Sequence, residues 1–470
     1  MGKKKTKKRK RKKTSVSWTD KVIKILRNFR IRTYLNRANP GQLLVLGYLL
    51  VMLTGFGLLS LPFVHKQHVS VLDNLYIATS AMSTTGLVTV PVSDTYNFFG
   101  QLIILLLFQV GGLGYMSLGS FFVLAGKKRM SNLSVKIFYS EFNLPEGFRL
   151  YRFVRQIVYF TLGIEIAGAI ALWVIFHSSG VSDAAWMAVF HSVSAFCTAG
   201  FSLFNRNFID FSGNTGLNVV ISILSLSGAI GFIVFTDLFN TIAHKKKKNT
   251  FTTRIIIRYM LIVLIGGTFI FYLTTKQTNN FQGTHRVMIS FFQVMTSITT
   301  VGFNTYPVHS LPHASLLLLT LFMVVGASPS GTGGGMKSTT IAALFAEMSS
   351  VIFHHRRPAL MRIPIPRHRI RIAIAVFLFY SIVLFLGLFV MLLSDTGASL
   401  YAVLFESTSA LGTVGLSMGI TSHLTITGKL VSIILMFLGR IGPLSFGIAF
   451  MSNLREPETH QKEEDIVVEE

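Results

Sequence analysis

Cysteine, acid and charge are what this chain is short of. One cysteine, Cys197, among 470 residues excludes an internal disulfide and any metal site built from several thiolates. Asp and Glu number 19 against 44 Lys and Arg, and charged residues make up 13% of the chain. A membrane enzyme would need His, Asp or Glu converging at membrane depth, and here such residues are sparse and scattered. Charge is missing altogether from Gly41 to Val64, Asn97 to Gly126, Phe211 to Thr236, Val287 to Met336 and Ile372 to Ser394. Each run is about as long as, or longer than, the ~20 residues that cross hydrocarbon. What fills the chain instead is apolar: 51% hydrophobic residues, 41 of them Phe. That is more than a soluble core of this length needs, and it predicts an all-α polytopic membrane protein.

The charge that is present is segregated. The first forty residues hold sixteen Lys and Arg against one acid, Asp20. The apolar run that begins near Gly41 is too long for a signal-peptide core, so residues 1–40 read as an uncleaved basic cytoplasmic tail before a true transmembrane helix. Beside a membrane, the string "KKKTKKRKRKK" predicts anionic lipid rather than nucleic acid as its partner. Residues 455–470 reverse the sign, with seven acids against Arg455 and Lys462, and read as a solvated tail without chemistry.

One uncharged motif occurs four times. Its glycines, Gly86, Gly200, Gly302 and Gly415, are 114, 102 and 113 residues apart. Thr stands two before each (Thr84, Thr198, Thr300, Thr413), a hydroxyl six before (Ser80, Ser194, Thr296, Ser409), and an aromatic ten before (Tyr76, Phe190, Phe292, Phe405). The same order recurs around each copy: a long apolar span, a short helix, the Thr-x-Gly segment and a second long span. The first spans are placed at 42–64, 154–176, 255–275 and 371–394, the short helices at about 71–83, 184–197, 286–299 and 399–411. The second spans fall at about 98–125, 215–243, 313–352 and 428–453. The predicted organisation is pore repeat 1 at 41–126, a linker at 127–153, repeat 2 at 154–244, repeat 3 at 245–353, a linker at 354–370 and repeat 4 at 371–454. Lys and Arg cluster between the repeats, so both termini and these linkers are expected in the cytoplasm, with the Thr-x-Gly segments dipping in from outside.

Non-helical backbone at membrane depth is tolerated where it is buried in protein or lines a watery cavity. Glycine opens conformations that let consecutive carbonyls point one way. Four such segments about one axis predict a ring of carbonyls that replaces the hydration shell of a monovalent cation. The segments are Thr84-Thr85-Gly86, Thr198-Ala199-Gly200, Thr300-Val301-Gly302 and Thr413-Val414-Gly415. The short helices would aim negative C-terminal ends at that ring, and the Thr hydroxyls would add ligands at its inner mouth.

The motifs "STTGL" (83–87), "CTAGF" (197–201), "TTVGFNT" (299–305) and "GTVGLS" (412–417), with "GASPSGTGGGMKST" (326–339) and "GRIGPLS" (439–445), resemble the Trk/Ktr/HKT superfamily of potassium transporters, in particular its KtrB-type membrane subunit. The resemblance covers about residues 40 to 453. It implies a fourfold pseudosymmetric pore in one chain, a homodimer in the cell membrane, and gating by a cytoplasmic RCK-type ring of the KtrA/KtrC kind that itself carries the nucleotide, ATP or ADP. It implies K+ as the transported ion with Na+ as a candidate activator. Some plant relatives carry Ser in the first filter and favour sodium, whereas this chain has Gly86. A transporter of the TrkH or HKT type carrying sodium or both ions is the alternative. The long polylysine tail departs from the family pattern.

The segment 326–339 interrupts a 50-residue charge-free run. Gly331 to Ser338 nearly matches a phosphate-binding loop, but Met336 replaces the required second Gly and no strand precedes it. Five glycines (Gly326, Gly331, Gly333, Gly334, Gly335) and Pro329 cannot hold a regular helix in lipid, so this is predicted to be an ordered irregular loop beneath the ring. In the resembled family it is the gating loop. The candidate gate residues are Gly326, Ser328, Pro329, Gly331, Gly333, Gly334, Gly335, Lys337 and Arg440. Lys337 is expected to face the cavity or reach the inner interface. Arg440, mid-span in the last helix, is expected to be a fixed positive charge that raises the barrier to resting cations. Among the other titratable residues, Glu406 either tunes the ring or bonds nearby backbone, and Asp237 and Glu347 are expected at solvated or interfacial positions. Glu165 needs a buried partner, and His191 reads as a satisfied helix side chain rather than a metal ligand.

Overall fold

Long apolar runs satisfy their backbone in lipid by forming helices, and the computed structural model of this chain is built of them. The structure describes residues 40–114, 150–242, 249–275, 283–355, 357–442 and 446–447. The basic N-terminal tail before residue 40, the acidic tail from 455, most of the linker 127–153 and Lys245 to Lys248 lie outside these. Helices α1 (Pro40–Leu59), α2 (Val71–Met82) and α3 (Phe98–Leu113) come first. Next are α4 (Leu150–Ser178), α5 (Ala184–Phe196), α6 (Thr215–Ile230) and α7 (Phe232–Ile242). Then follow α8 (Phe251–Thr274), α9 (Thr284–Thr299), α10 (His313–Val324) and α11 (Ser338–Ile352). Last come α12 (Arg367–Ser394), α13 (Leu400–Gly412) and α14 (Ile426–Ile441). Between α11 and α12 a two-residue hairpin pairs β1 (Ala359–Leu360) with β2 (Ile363–Pro364), turning through Met361 and Arg362 in left-handed conformations.

Among the described residues, α1, α4, α8 and α12 are long and apolar enough to cross a membrane. Their outward faces carry exposed Leu50, Ile166, Ile262 and Phe385, a surface that lipid satisfies and water does not. The short helices α2, α5, α9 and α13 are enclosed by them. Tyr76, Phe190, Phe292 and Phe405, the recurring aromatics, are all buried, and their rings fill the space behind the Thr-x-Gly segments.

The second span placed at 215–243 is broken in two, and of those placed at 98–125 and 428–453 the residues 115–125, 443–445 and 448–453 lie outside the described residues. The pair α6 and α7 is bent by 96° at Gly231; α3 ends at Leu113 and α14 at Ile441. The cause is a Gly-x-x-Gly step: Gly111 and Gly114, Gly228 and Gly231, Gly439 and Gly442. The first glycine of each step packs on a carbonyl of the neighbouring short helix's last turn, namely Met82, Phe196 and Leu411. A Cβ there would overlap that carbonyl. The second glycine takes φ of 79°, 95° and 90°, which stops a right-handed helix and is open to glycine at little cost.

Two ties cross the start of α2. Ser70 caps the helix, accepting from the Asp73 amide at 3.0 Å. Asp73 also pairs with Lys429 of α14 at 2.7 Å, both side chains about 15% exposed. Burial alone would raise the Asp73 pKa, but the Lys429 ammonium and the Ser70 and Thr89 hydroxyls outweigh it and hold the carboxyl below its ordinary value.

Candidate functional site

Each short helix ends directly at its Thr-x-Gly segment, and the local backbone is the same four times. Thr84, Thr198, Thr300 and Thr413 have φ of 54°, 49°, 57° and 50°, and Gly86, Gly200, Gly302 and Gly415 have φ of 93°, 66°, 80° and 92°. Two left-handed residues flank one that is not, which turns the carbonyl between them out of the helix line. The middle residue is tied back in every copy. Thr85 N donates to the Ser80 carbonyl at 2.8 Å, Ala199 N to Ser194 at 2.8 Å, Val301 N to Thr296 at 3.1 Å and Val414 N to Ser409 at 2.8 Å. The recurring hydroxyl completes the anchor in part: Gly86 N donates to Ser80 Oγ at 3.1 Å and Gly415 N to Ser409 Oγ at 3.0 Å. Ser194 Oγ instead donates to the Phe201 carbonyl at 2.9 Å.

The four segments close on one another in order. Gly86 packs against the Ala199 carbonyl and Gly200, Gly200 against Val301 and Gly302, Gly302 against Val414 and Gly415, and Gly415 against Thr85 and Gly86. A Cβ on any of the four would stand 3.0 to 3.3 Å from the next glycine's Cα. The carbonyls of Thr85, Ala199, Val301 and Val414 are thus each packed on the glycine of an adjoining segment, and the four contacts close into one cycle.

Beneath this ring sits the segment 326–337, between α10 and α11. Its neck is closed by two glycines, Gly326 and Gly335, packed so tightly that a Cβ on Gly335 would lie 2.9 Å from the Gly326 Cα. Its crown is seated in the break between α6 and α7: Ser328 N donates to the Ala229 carbonyl at 3.1 Å, Thr332 N to Gly228 at 3.1 Å and Phe232 N to Ser330 at 3.2 Å. Gly331 packs on the Ala229 carbonyl, and the Pro329 carbonyl lies against Gly231. The crown meets all four Thr residues of the ring. Thr332 lies against two: its hydroxyl is 3.1 Å from Thr198 Oγ1, and its carbonyl accepts from Thr84 Oγ1 at 3.3 Å. Gly333 lies against the Thr300 hydroxyl and Gly334 against that of Thr413, where a Cβ would overlap them.

Two basic side chains donate to adjacent carbonyls of that crown. Lys337 Nζ donates to Gly333 at 2.7 Å, so it faces inward and staples the loop to itself. Arg440 Nη1 donates to the Thr332 carbonyl and, at 3.1 Å, to Thr84 Oγ1. Its Nη2 donates to the Gly111 carbonyl and, at 3.2 Å, to Gly112. Arg440 thus spans from the end of α14 through the loop crown to the end of α3, directly below the ring.

The remaining polar residues are mostly structural. Glu165 finds its partner in Gln109, whose Nε2 donates at 3.1 Å. The Gln109 Oε1 in turn lies 3.2 Å from the Cys197 thiol. Asp237, expected at a solvated or interfacial position, is buried. It accepts from the Thr250 amide at 2.7 Å, a bond that joins α7 to α8 and explains why a carboxylate is kept there. His191 bonds within its own stretch of chain: Nδ1 is 2.7 Å from the Met187 carbonyl, and Nε2 accepts from Leu203 N at 3.2 Å. Among the described residues no group of three His, Cys, Asp or Glu is placed to hold a metal ion.

Comparison with known proteins points the same way as this geometry. The family model for TrkH, described as a cation transport protein, matches residues 35–462. The potassium/sodium uptake protein NtpJ of Enterococcus hirae is 32% identical over 444 residues, covering 92% of this chain and 98% of that protein. Ktr system potassium uptake protein B of Bacillus subtilis is 32% identical over 450 residues, covering 93% and 98%. Among solved structures, that of the potassium transporter TrkH from Vibrio parahaemolyticus has the same fold, with a TM-score of 0.68 at 20% identity over 86% of this chain and 84% of that one.

Proposed function

Because the chain belongs to the TrkH family of cation transport proteins, we propose that it takes up potassium through a pore whose selectivity filter is the ring of Thr85, Ala199, Val301 and Val414 carbonyls. The observation that carries this reading is the closed cycle in which each filter glycine packs on the next segment's carbonyl. A dehydrating ion needs several oxygens converging at once, and uncharged carbonyls hold it weakly enough to let it leave. Helices α2, α5, α9 and α13 aim their C-terminal dipoles at the same centre. Dehydration, coordination and gating are the whole of the chemistry, and no covalent step is involved.

The loop 326–337 is the gate. Seated under the ring with Arg440 bonded to it, it blocks the inward path and places a positive charge where a cation must pass. Opening withdraws Thr332, Gly333 and Gly334 from the four Thr hydroxyls. The names of the Ktr system relatives support a multi-component assembly, and we read it as a homodimer in the cell membrane with a cytoplasmic RCK-type ring that binds the nucleotide and drives the loop. Basic residues such as Arg254, Arg258, Arg367, Arg369 and Arg371 support a cytoplasmic location for their ends of the helices by the positive-inside rule, with the filter entered from outside.

A second reading, in which sodium passes as well, is favoured by the potassium/sodium name of NtpJ. Rescue of a potassium-uptake-deficient bacterium, with and without a ring subunit, tests the proposal, and K+ against Na+ flux in proteoliposomes separates the two readings. Wild-type protein preferring potassium supports the first, with Gly86→Ser lowering that preference. No rescue under any pairing and no K+ flux would count against both.

A further inference from the structure

Behind the filter runs a second repeating pattern. Nine residues before the four filter glycines stand Ile77, His191, Gln293 and Glu406, and two residues after them stand Val88, Ser202, Asn304 and Ser417. These two columns match in kind. In the first unit both are aliphatic and belong to one apolar cluster. In the second, His191 Nε2 is 3.0 Å from Ser202 Oγ. In the third, Gln293 Nε2 and Asn304 Nδ2 both donate to the Tyr306 carbonyl, at 3.5 and 3.0 Å. In the fourth, Ser417 Oγ donates to Glu406 Oε2 at 2.8 Å, while Thr421 Oγ1 donates to Oε1.

The polar pairs share further detail. Ser202 Oγ accepts from Phe204 N at 3.0 Å and Ser417 Oγ from Gly419 N at 2.9 Å, so each serine pins the chain that leaves the filter as well as the helix behind it. His191 is locked in one tautomer, because Leu203 N–H can only donate to Nε2, which leaves the ring proton on Nδ1 for the Met187 carbonyl. Glu406 is fully buried, and both of its oxygens are used. The third pair is the loosest: its shared carbonyl is reached at 3.5 Å, and Gln293 Oε1 has no hydrogen-bond partner among the described residues.

We propose that these pairs are struts, positioning residues that fix the outer mouth of the filter by tying each short helix to the chain just beyond its filter glycine, with Glu406–Ser417 the principal one. The inference rests on the filter reading above. A filter built of carbonyls discriminates between two ions by holding its oxygens at one spacing, so the groups that set the exit angle of each segment act on selectivity without touching the ion. Glu406 is the principal strut because its two carboxyl oxygens meet two hydroxyls of the leaving chain, Ser417 and Thr421.

The test is the ratio of K+ to Na+ flux through full-length protein in proteoliposomes, with melting temperature measured on the same preparations. Glu406→Gln and Ser417→Ala, which keep volume in the buried site, should lower the ratio by about threefold, and Glu406→Ala by about tenfold, below the roughly hundredfold that a 1 Å displacement of a site can cost. Glu347→Gln, far from the filter on α11, should leave the ratio as in wild type. A variant that merely unfolds more readily loses both fluxes together and keeps its ratio. Folded Glu406→Gln and Ser417→Ala with the wild-type ratio would overturn the struts while leaving the filter intact. Wild-type protein that passes no K+ would overturn the filter reading itself, and the struts with it.

Discussion

Replacing Arg440 by Gln should open the pathway in the absence of any regulatory partner. The guanidinium makes four contacts, to the Thr332, Gly111 and Gly112 carbonyls and to Thr84 Oγ1, but only the Thr332 bond holds the loop. A hydrogen bond from a charged group is worth about 1.5–3 kcal/mol. Tenfold in an equilibrium constant corresponds to about 1.4 kcal/mol, so losing the bond raises the open-to-closed ratio of the loop by roughly ten- to hundredfold. The remaining anchors, Ser328 to Ala229 and Thr332 to Gly228, stay in place and keep the closed form populated. Rb+ uptake into proteoliposomes holding the protein alone reads the ratio directly, as a rise in basal flux with the K+ over Na+ preference unchanged. Arg440→Lys separates the two things Arg does: it keeps the charge, but a point ammonium cannot span Thr332 and Gly111 at once. If the span from α3 to the loop is what closes the gate, Lys behaves like Gln; if one charged donor on Thr332 is enough, Lys behaves like wild type. Folded Arg440→Gln with wild-type basal flux refutes the clamp.

Gly302→Ala should cut K+ flux by at least about tenfold, since the methyl would stand against the Val414 carbonyl and the residue has φ of 80°, and flux through folded variant protein checks it. Glu165→Leu strips Gln109 of its partner and should cost about 1–3 kcal/mol of stability, read as a lower melting temperature that Glu165→Gln largely avoids. A double-mutant cycle of Asp73→Asn and Lys429→Met should give a coupling of about 1 kcal/mol for this largely buried pair. The sign with pH follows from the depressed Asp73 pKa. The contribution is fully present above the ordinary carboxylate value and is lost as pH falls through the lower folded value, so the gap between wild type and Asp73→Asn should close only in acid.

The parts of the fold set by spacing were legible in the chain itself. Short helices placed at about 71–83 and 184–197 lie at Val71–Met82 and Ala184–Phe196, because a buried aromatic ten residues before each glycine and a hydroxyl six before it constrain one another. The loop beneath the ring of Thr-x-Gly segments was legible for a different reason: five glycines and a proline leave no regular structure open to it. What escaped were features whose cause is a neighbour far away in sequence. The break at Gly231 comes from close packing against the Phe196 carbonyl and from the loop crown seated there, although the recurring Gly-x-x-Gly of 111–114, 228–231 and 439–442 was a usable signal. Thr in a left-handed conformation runs against its preference, so nothing in the composition of Thr84 or Thr300 announces it. Asp237 looked interfacial because its distance along the helix says nothing about Thr250 folding back over it. Arg440 was visible as a charge, but its carbonyl partners on α3 and the loop belong to stretches more than 100 residues away.

The cycle of glycine against carbonyl also bears on how such a protein changes over generations. In a pore made of four identical subunits, one altered codon changes every position around the axis at once, and intermediate compositions exist only as mixtures. Here the four contacts Gly86 to Ala199, Gly200 to Val301, Gly302 to Val414 and Gly415 to Thr85 are encoded separately. One nucleotide change therefore alters a quarter of the circumference in every molecule of the population. On the proposed filter reading, ion preference can drift in small heritable steps, each sampled by selection before the next, so a ring of four similar segments has the step size of an asymmetric device.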